Sequence, residues 1–232
     1  MTSDNREIEA KFYVLNLKRI EARLQPPPPF RSLPRISNKI LGKFLSFYCR
    51  LWGRLGGRLV SSRTHETNLR FDTQTGDLQR DGRVLRLRRD DAVHLTYKED
   101  GRLTAGAHDR REIEFTVSDH DLARQFIEAL GYEIIFTYEK YRTTWELDGA
   151  HIMLDEMPYG NFVEIEGKLD GLKPIAEKLG LNWSAAVPAG YFALFEHMRH
   201  AKGLSFSDLS FRNFVGLEIT PEDLGVQVAD ES

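Results

Sequence analysis

Along most of this chain apolar residues recur at every second position, the period of a strand with one buried face, rather than at every third or fourth. Within residues 6–14, Ile8, Ala10 and Phe12 fall on one side and Glu7, Glu9 and Lys11 on the other. The same alternation predicts strands over about 59–73, 82–90, 92–99, 109–117, 132–147, 150–157 and 161–169, eight in all. They are parted by turn signals such as Thr75-Gly76-Asp77 and Asp148-Gly149. Helices are predicted over 16–24, over 119–130 behind a Ser118 cap with Asp121 three positions on, over 171–180 ahead of Gly180, and over 190–202 ahead of Gly203. Hairpin strands in succession with few helices make the expected fold α+β and mainly antiparallel. Residues 204–232 read as a tail whose Phe206, Phe211 and Phe214 pack on the body and whose acidic end frays.

The polar sides of these strands carry the chemistry. Arg86 and Arg88 share one face, as do Glu112 with Glu114, Lys140 with Arg142, and Glu164 with Glu166; Lys98 and Asp155 sit at equivalent positions. One reading is a solvated outer face. Against it, each pair has a single sign, and like charges side by side are unfavourable on a strand. The residues are also Glu and Arg rather than Thr, Ser and Gln. Eight strands are about the number that closes into a barrel with room inside for one small ligand. A charged lumen is tolerable only with charged guests. Seven carboxylates (Glu7, Glu9, Glu112, Glu114, Asp155, Glu164, Glu166) against six bases (Lys11, Arg86, Arg88, Lys98, Lys140, Arg142) leave it at −1. Several forked bases suit a polyphosphate. A triphosphate adds roughly −4 to −5, which requires divalent cations, and all-oxygen ligation favours Mg²⁺ or Mn²⁺ over zinc.

Composition alters this picture in one place. The chain has 32 Lys plus Arg and 35 Asp plus Glu, a net charge of −3 that argues against dedicated nucleic-acid binding. Residues 25–62, however, hold seven bases and no acid, leaving the remainder at −10. Within that stretch four prolines, 26–29, form a stiff spacer. Ile40, Leu41, Phe44, Leu45, Tyr48, Leu51, Trp52 and Leu55 then follow at helical spacing opposite Lys39, Lys43, Arg50 and Arg54. A basic amphipathic helix over 39–55 is expected. It would dock on the barrel or mediate self-association, lie on an anionic membrane as a peripheral contact, or cover the tunnel.

Cys49 is the single cysteine, so neither an internal disulfide nor a Cys-based zinc site is available, and a cytoplasmic setting is expected. The first twelve residues lack a secretory pattern, and no window holds the roughly 20 apolar residues of a spanning helix. His197 and His200 lack a partnering carboxylate motif and read as surface or packing residues, and no GxxxxGK[ST] or GxSxG stretch exists.

Glu7-Ile8-Glu9-Ala10-Lys11 resembles the ExExK signature of the CYTH superfamily, the triphosphate tunnel metalloenzymes, which includes thiamine triphosphatases, inorganic triphosphatases and class IV adenylyl cyclases. LRLRR (85–89), LTYKED (95–100), EIEF (112–115), EKYRTTW (139–145), LDEMPYGNFVEIEG (154–167) and Tyr191 follow in the family's order. The resemblance covers about residues 6–200, within a domain drawn at 1–203 with an insert at about 25–58 and a tail at 204–232. It implies an eight-stranded antiparallel tunnel with flanking helices that binds a triphosphate-bearing small molecule with Mg²⁺ or Mn²⁺. By position, Glu7 and Glu9 with Glu164 or Glu166 resemble ligands of one metal, and Asp155 with Glu112 or Glu114 those of a second. Lys11, Arg86, Arg88, Lys98, Lys140 and Arg142 resemble the phosphate clamp, and Glu7, Glu9, Lys11 and Asp155 the catalytic set. Arg70 stands where many relatives have an aromatic residue and adds a seventh base. The implied activity is metal-dependent triphosphate hydrolysis; cyclisation of ATP and non-catalytic polyphosphate binding are the competing readings.

Overall fold

The computed structural model describes residues 6–26 and 53–230. Nine strands form one antiparallel sheet: β1 (Arg6–Val14), β2 (Arg58–Asp72), β3 (Val84–Arg89), β4 (Val93–Lys98), β5 (Arg102–Thr104), β6 (Ala107–Val117), β7 (Glu133–Leu147), β8 (Ala150–Met157) and β9 (Gly160–Glu166). Their order is β1-β9-β8-β7-β2-β3-β4-β6-β5, and β1 also pairs with β6, with Glu7 opposite Arg110 and Glu9 opposite His108. That pairing closes eight strands into a ring. The three-residue β5, which the sequence pattern does not foretell, hangs from β6 outside it.

The period-two pattern becomes an inside and an outside. Apolar sides point outward, most of them beneath helices, with Ile113 and Phe115 of β6 left exposed. Helix α1 (Leu17–Leu24) and helix Leu169–Leu179 bury Ile20, Leu24, Leu172, Ile175 and Leu179 against Phe12, Ile152, Val163 and Ile165. Helix His120–Ala129 sets Ile127 on Phe71 and Leu87. Helix Tyr191–Lys202 and the chain after it cover Tyr13, Phe136 and Phe162. These helices are α4, α3 and α5 in chain order, with the single-turn α2 at Asp77–Arg80 and α6 at Pro221–Leu224. Charged sides point inward: Glu7, Glu9, Lys11, Lys98, Lys140, Asp155 and Glu164 are all buried. The solvated-face reading is thereby excluded.

Local signals differ from expectation in two places. The cap of α3 is Asp119, not Ser118: its carboxylate accepts the backbone N–H groups of Asp121 and Leu122, and an anion there also favours the helix dipole. The end of the tail does not fray within the described residues. Ala229 donates its N–H to the Tyr13 carbonyl, and the Asp230 carboxylate accepts Leu15 N at 2.8 Å and Asn16 N at 3.0 Å, tying the tail to the junction of β1 and α1. These donors would otherwise be orphaned at a strand end. Gly180 and Gly203 do end α4 and α5, each in the left-handed region that glycine tolerates best.

The basic insert leaves and re-enters at one point: Leu55 N donates to Arg23 O, Gly57 N to Leu24 O, and Arg54 to Pro26 O. The expected helix over 39–55 lies outside the described residues apart from its last three positions. Among the described residues, no helix is long and apolar enough to cross a membrane.

Candidate active site

Inside the ring is a cavity of about 340 Å³, the size of a small-ligand site. Each expected site residue except Asp155 lines it: Glu7, Glu9 and Lys11 from β1, Arg70 from β2, Arg86 and Arg88 from β3, and Lys98 from β4. Glu112 and Glu114 come from β6, Lys140 and Arg142 from β7, and Glu164 and Glu166 from β9. Register explains the gathering. Arg70 pairs with Arg86, Lys98 with Glu112, Glu9 with Glu166 and Lys11 with Glu164, so inward side chains stack around the wall.

Two further charged residues belong here, both legible from alternation. Arg110 precedes Glu112 by two positions and lines the same cavity, reaching Glu7 at 3.2 Å and Glu9 at 2.9 Å. Glu66 precedes Arg70 by four and sits just behind the wall beside Lys140 (3.5 Å) and Arg88 (3.6 Å). The lining therefore holds eight bases and six carboxylates, a charge of +2 where the expected set gave −1.

Asp155 is placed apart from the other expected site residues. It is wholly buried and does not line the cavity. Arg142 forks onto it through Nε and Nη2, both at 2.6 Å; Lys140 Nζ donates at 2.9 Å and the Tyr191 hydroxyl at 2.7 Å. A carboxylate already accepting four hydrogen bonds is an anchor for bases. Nor is Asp155 brought together with Glu112 or Glu114. Glu112 pairs with Lys98 at 3.1 Å, and Glu114 accepts Thr96 at 2.6 Å while facing Arg86 and Arg88 at 3.4 Å. Among the described residues, no three acidic, histidine or cysteine side chains converge closely enough to hold a metal ion.

The carboxylates divide electrostatically. Burial pushes Glu66 up, but Lys140, Arg142 and Arg88 outweigh it and hold its carboxyl at about 2. Glu7 behaves alike: Lys98 and Arg110 overcome burial and bring it to about 2. Glu112 and Glu166 go the other way, to about 7. Burial is the chief cause in both; Glu7 adds to it for Glu112, and Glu7, Glu9 and Glu164 add to it for Glu166. Carboxylates therefore crowd where β1 meets β9; Glu7 and Glu9 are paired with Arg110, and Glu164 with Lys11 and Arg142, while among the described residues no base pairs with Glu166.

The bases are incompletely satisfied. The Nε–H groups of Arg70 and Arg86 are buried without a hydrogen-bond partner, and that of Arg88 has only Asp90 Oδ2 nearby, at 3.2 Å. Orphaned charged donors are costly inside a protein, and such groups converging on one cavity call for an anion with several acceptor oxygens. Tyr191, the first residue of α5, closes one wall with its ring 4.2 Å from Lys11 Nζ.

A sequence model of the CYTH domain matches residues 53–177. The chain belongs to the CYTH family. The match begins after the basic insert, so β1 with its Glu-x-Glu-x-Lys pattern lies upstream of it, joined to the rest by pairing with β6 and β9. No curated protein matches the chain. Among solved structures it is similar to a candidate adenylate cyclase from Vibrio parahaemolyticus, at 18% identity and a TM-score of 0.59, covering 82% of this chain and 97% of that one. It is also similar to the PH1012 protein of Pyrococcus horikoshii (20%, TM-score 0.54, 80% and 96% covered). A third is HpAC1 from Hippeastrum, a candidate adenylyl cyclase described as having a dominant triphosphatase activity (18%, TM-score 0.51, 82% and 95% covered). At these identities the likeness is one of fold, and this CYTH chain shares the closed antiparallel sheet with helices outside it.

Proposed function

We propose that the tunnel binds a triphosphate and hydrolyses it with a divalent metal. The observation that carries this reading is the set of buried, unpartnered guanidinium donors on β2 and β3, in a cavity lined by eight bases and six carboxylates. A triphosphate offers acceptors along its length, and forked Arg side chains match phosphate oxygens two at a time. Arg86, Arg88 and Lys98 would hold one side of the chain and Lys11, Lys140 and Arg142 the other, with Asp155 fixing the last two.

The carboxylates at the β1–β9 seam have the all-oxygen chemistry a hard cation takes, and their side chains would have to close on it, since they stand apart in this arrangement. Glu9 and Glu166 are register partners on β1 and β9, with Glu7 and Glu164 adjoining, and burial together with these neighbouring carboxylates raises the Glu166 carboxyl. These residues would hold Mg²⁺ or Mn²⁺, which when bound neutralises phosphate charge and acidifies water. The chain's own part is positioning: the bases fix the phosphates in line and stabilise charge that moves to the leaving phosphate. Glu112, with its carboxyl near neutrality, is the group at which a proton can be exchanged with the reacting phosphate or water.

The test is phosphate release from a panel of inorganic, thiamine and nucleoside triphosphates with Mg²⁺ or Mn²⁺, products resolved chromatographically. Turnover that stops with EDTA is expected. Arg86→Ala should lower kcat/KM by about 10²-fold, a figure typical of removing one donor that stabilises developing charge. Cyclic AMP and pyrophosphate as the products, or full activity in Arg86→Ala, would overturn the reading.

A further inference from the structure

Large exposed apolar side chains gather at one place on the outer wall of the ring. Across β4 and β6 the outward residues pair in register, Val93 with Val117, Leu95 with Phe115 and Tyr97 with Ile113. Phe115 is 53% exposed and Ile113 36%. Helix α3 borders this face and is seated on β3, with Ala123 and Ile127 in one cluster with Leu87, Val93, Leu95 and Val117. It is the right-handed return from β6 to β7, so Leu122, Phe126 and Leu130, at i, i+4 and i+8, turn toward β4 and β6 rather than down onto β3. These three are 64%, 64% and 62% exposed.

The helix stripe and the sheet face make one apolar surface. At about 200 Å² for a large side chain, five of them exposed to this degree present on the order of 500 Å², a size at which surface patches mark interaction sites. A standard interface takes about 800 Å² from each partner, about 65% of it apolar in homodimers, so this patch supplies the apolar part of one. We infer that the α3 stripe and the β4–β6 face form a homodimer interface, covered by the same surface of a second copy of this chain. Two observations select a second copy. Leu122-Phe126-Leu130 reads the same from either end, so a two-fold axis beside Phe126 sets the two helices antiparallel, with Leu122 against Leu130 of the partner subunit. The charges at the border are mixed in sign and already paired within the chain: Arg124 with Glu128 and Arg111 with Glu99, both at 2.8 Å, and Asp121 beside His120 at 3.1 Å. An anionic membrane or a charged peptide calls for a border of one sign, whereas a neutral border suits an apolar surface that meets itself. The interface lies outside the ring and is independent of what the lumen binds.

The experiment is sedimentation equilibrium on the full chain and on its Phe126→Glu and Phe115→Glu variants. The parent should be a dimer at about 10 μM, within the range that a standard interface supports. Each variant should weaken dimerisation roughly thirtyfold or more, the loss typical of a central anchor, and keep the far-UV circular dichroism of the parent, since both side chains stand at the surface. Cross-linking tests the axis itself. Cys49 is the single cysteine, so in a Cys49→Ser background Leu122→Cys and Leu130→Cys are made separately. Mixed under mild oxidation they should join in a disulfide, and neither should cross-link alone, because only the mixed pair faces across an antiparallel two-fold. A parent that is monomeric at every concentration, its patch covered by another segment of its own chain or left for a different protein, would overturn the proposal. So would a dimer that survives both glutamates, or cross-links formed by either cysteine variant alone and not by the mixture.

Discussion

Replacing Asp155 by alanine is expected to destabilise the protein by about 3–5 kcal/mol, the usual cost of removing one partner from a buried ion pair. Lys140 is 1% exposed, and Arg142 places both arms of its fork on Asp155; without that carboxylate two cations and the Tyr191 hydroxyl lose their shared acceptor. Glu66 and Glu164 remain nearby, but each already faces several bases. Activity should fall more steeply than a contact count implies, because Lys140 and Arg142 lose their fixed positions together, and misplacement of about 1 Å costs on the order of 10²-fold. Asp155→Asn should be intermediate in both respects, since the amide keeps the shape and one acceptor oxygen. Urea unfolding and turnover on the three proteins check this. A fully stable, fully active Asp155→Ala would contradict the anchoring role.

The second large effect is on the pH dependence of stability in metal-free buffer. Glu66 has a folded pKa of about 2 against an ordinary 4.5, so its contribution is present above pH 4.5 and is lost as pH falls through 2. A shift of that size corresponds to about 3 kcal/mol at 1.36 kcal/mol per pH unit. Glu166 has the opposite sign. Its folded pKa of about 7 means that ionising it costs about as much, a penalty absent below pH 4.5 and complete above pH 7. Glu112, also at about 7, acts in the same direction. Stability should therefore peak near pH 4.5–5 and decline on both sides. Glu166→Gln should flatten the alkaline limb, and Mg²⁺ or Mn²⁺ at pH 8 should raise the melting temperature of the parent more than that of the variant. A parent profile that is flat between pH 5 and pH 8 would contradict the crowded carboxylates at β1 and β9.

The strands were legible because a closed sheet with an apolar exterior and a charged lumen imposes strict alternation, and Glu7-x-Glu9-x-Lys11 or Arg86-x-Arg88 violates what a solvated strand tolerates. The same rule reaches Arg110 and Glu66, which lie two positions from Glu112 and Asn68 on their inward faces. What alternation cannot convey is depth. Asp155 has the parity of a lumen residue, yet Lys140 and Arg142 from the neighbouring strand cover it, and only the β7–β8 register, with Arg142 opposite Asp155, reveals that. The return of the tail was hidden for a different reason. Asp230 caps Leu15 and Asn16 across more than 200 residues, and a long-range cap has no local pattern.

The central claim, that the lumen is a triphosphate site, is tested most directly by a crystal structure of the protein with inorganic triphosphate. The expected result is one linear anion inside the ring, its oxygens accepting from Arg86, Arg88 and Lys98 and filling the orphaned Nε–H groups on β2 and β3. An empty lumen at saturating triphosphate, or an anion bound only on the outer surface, would contradict it.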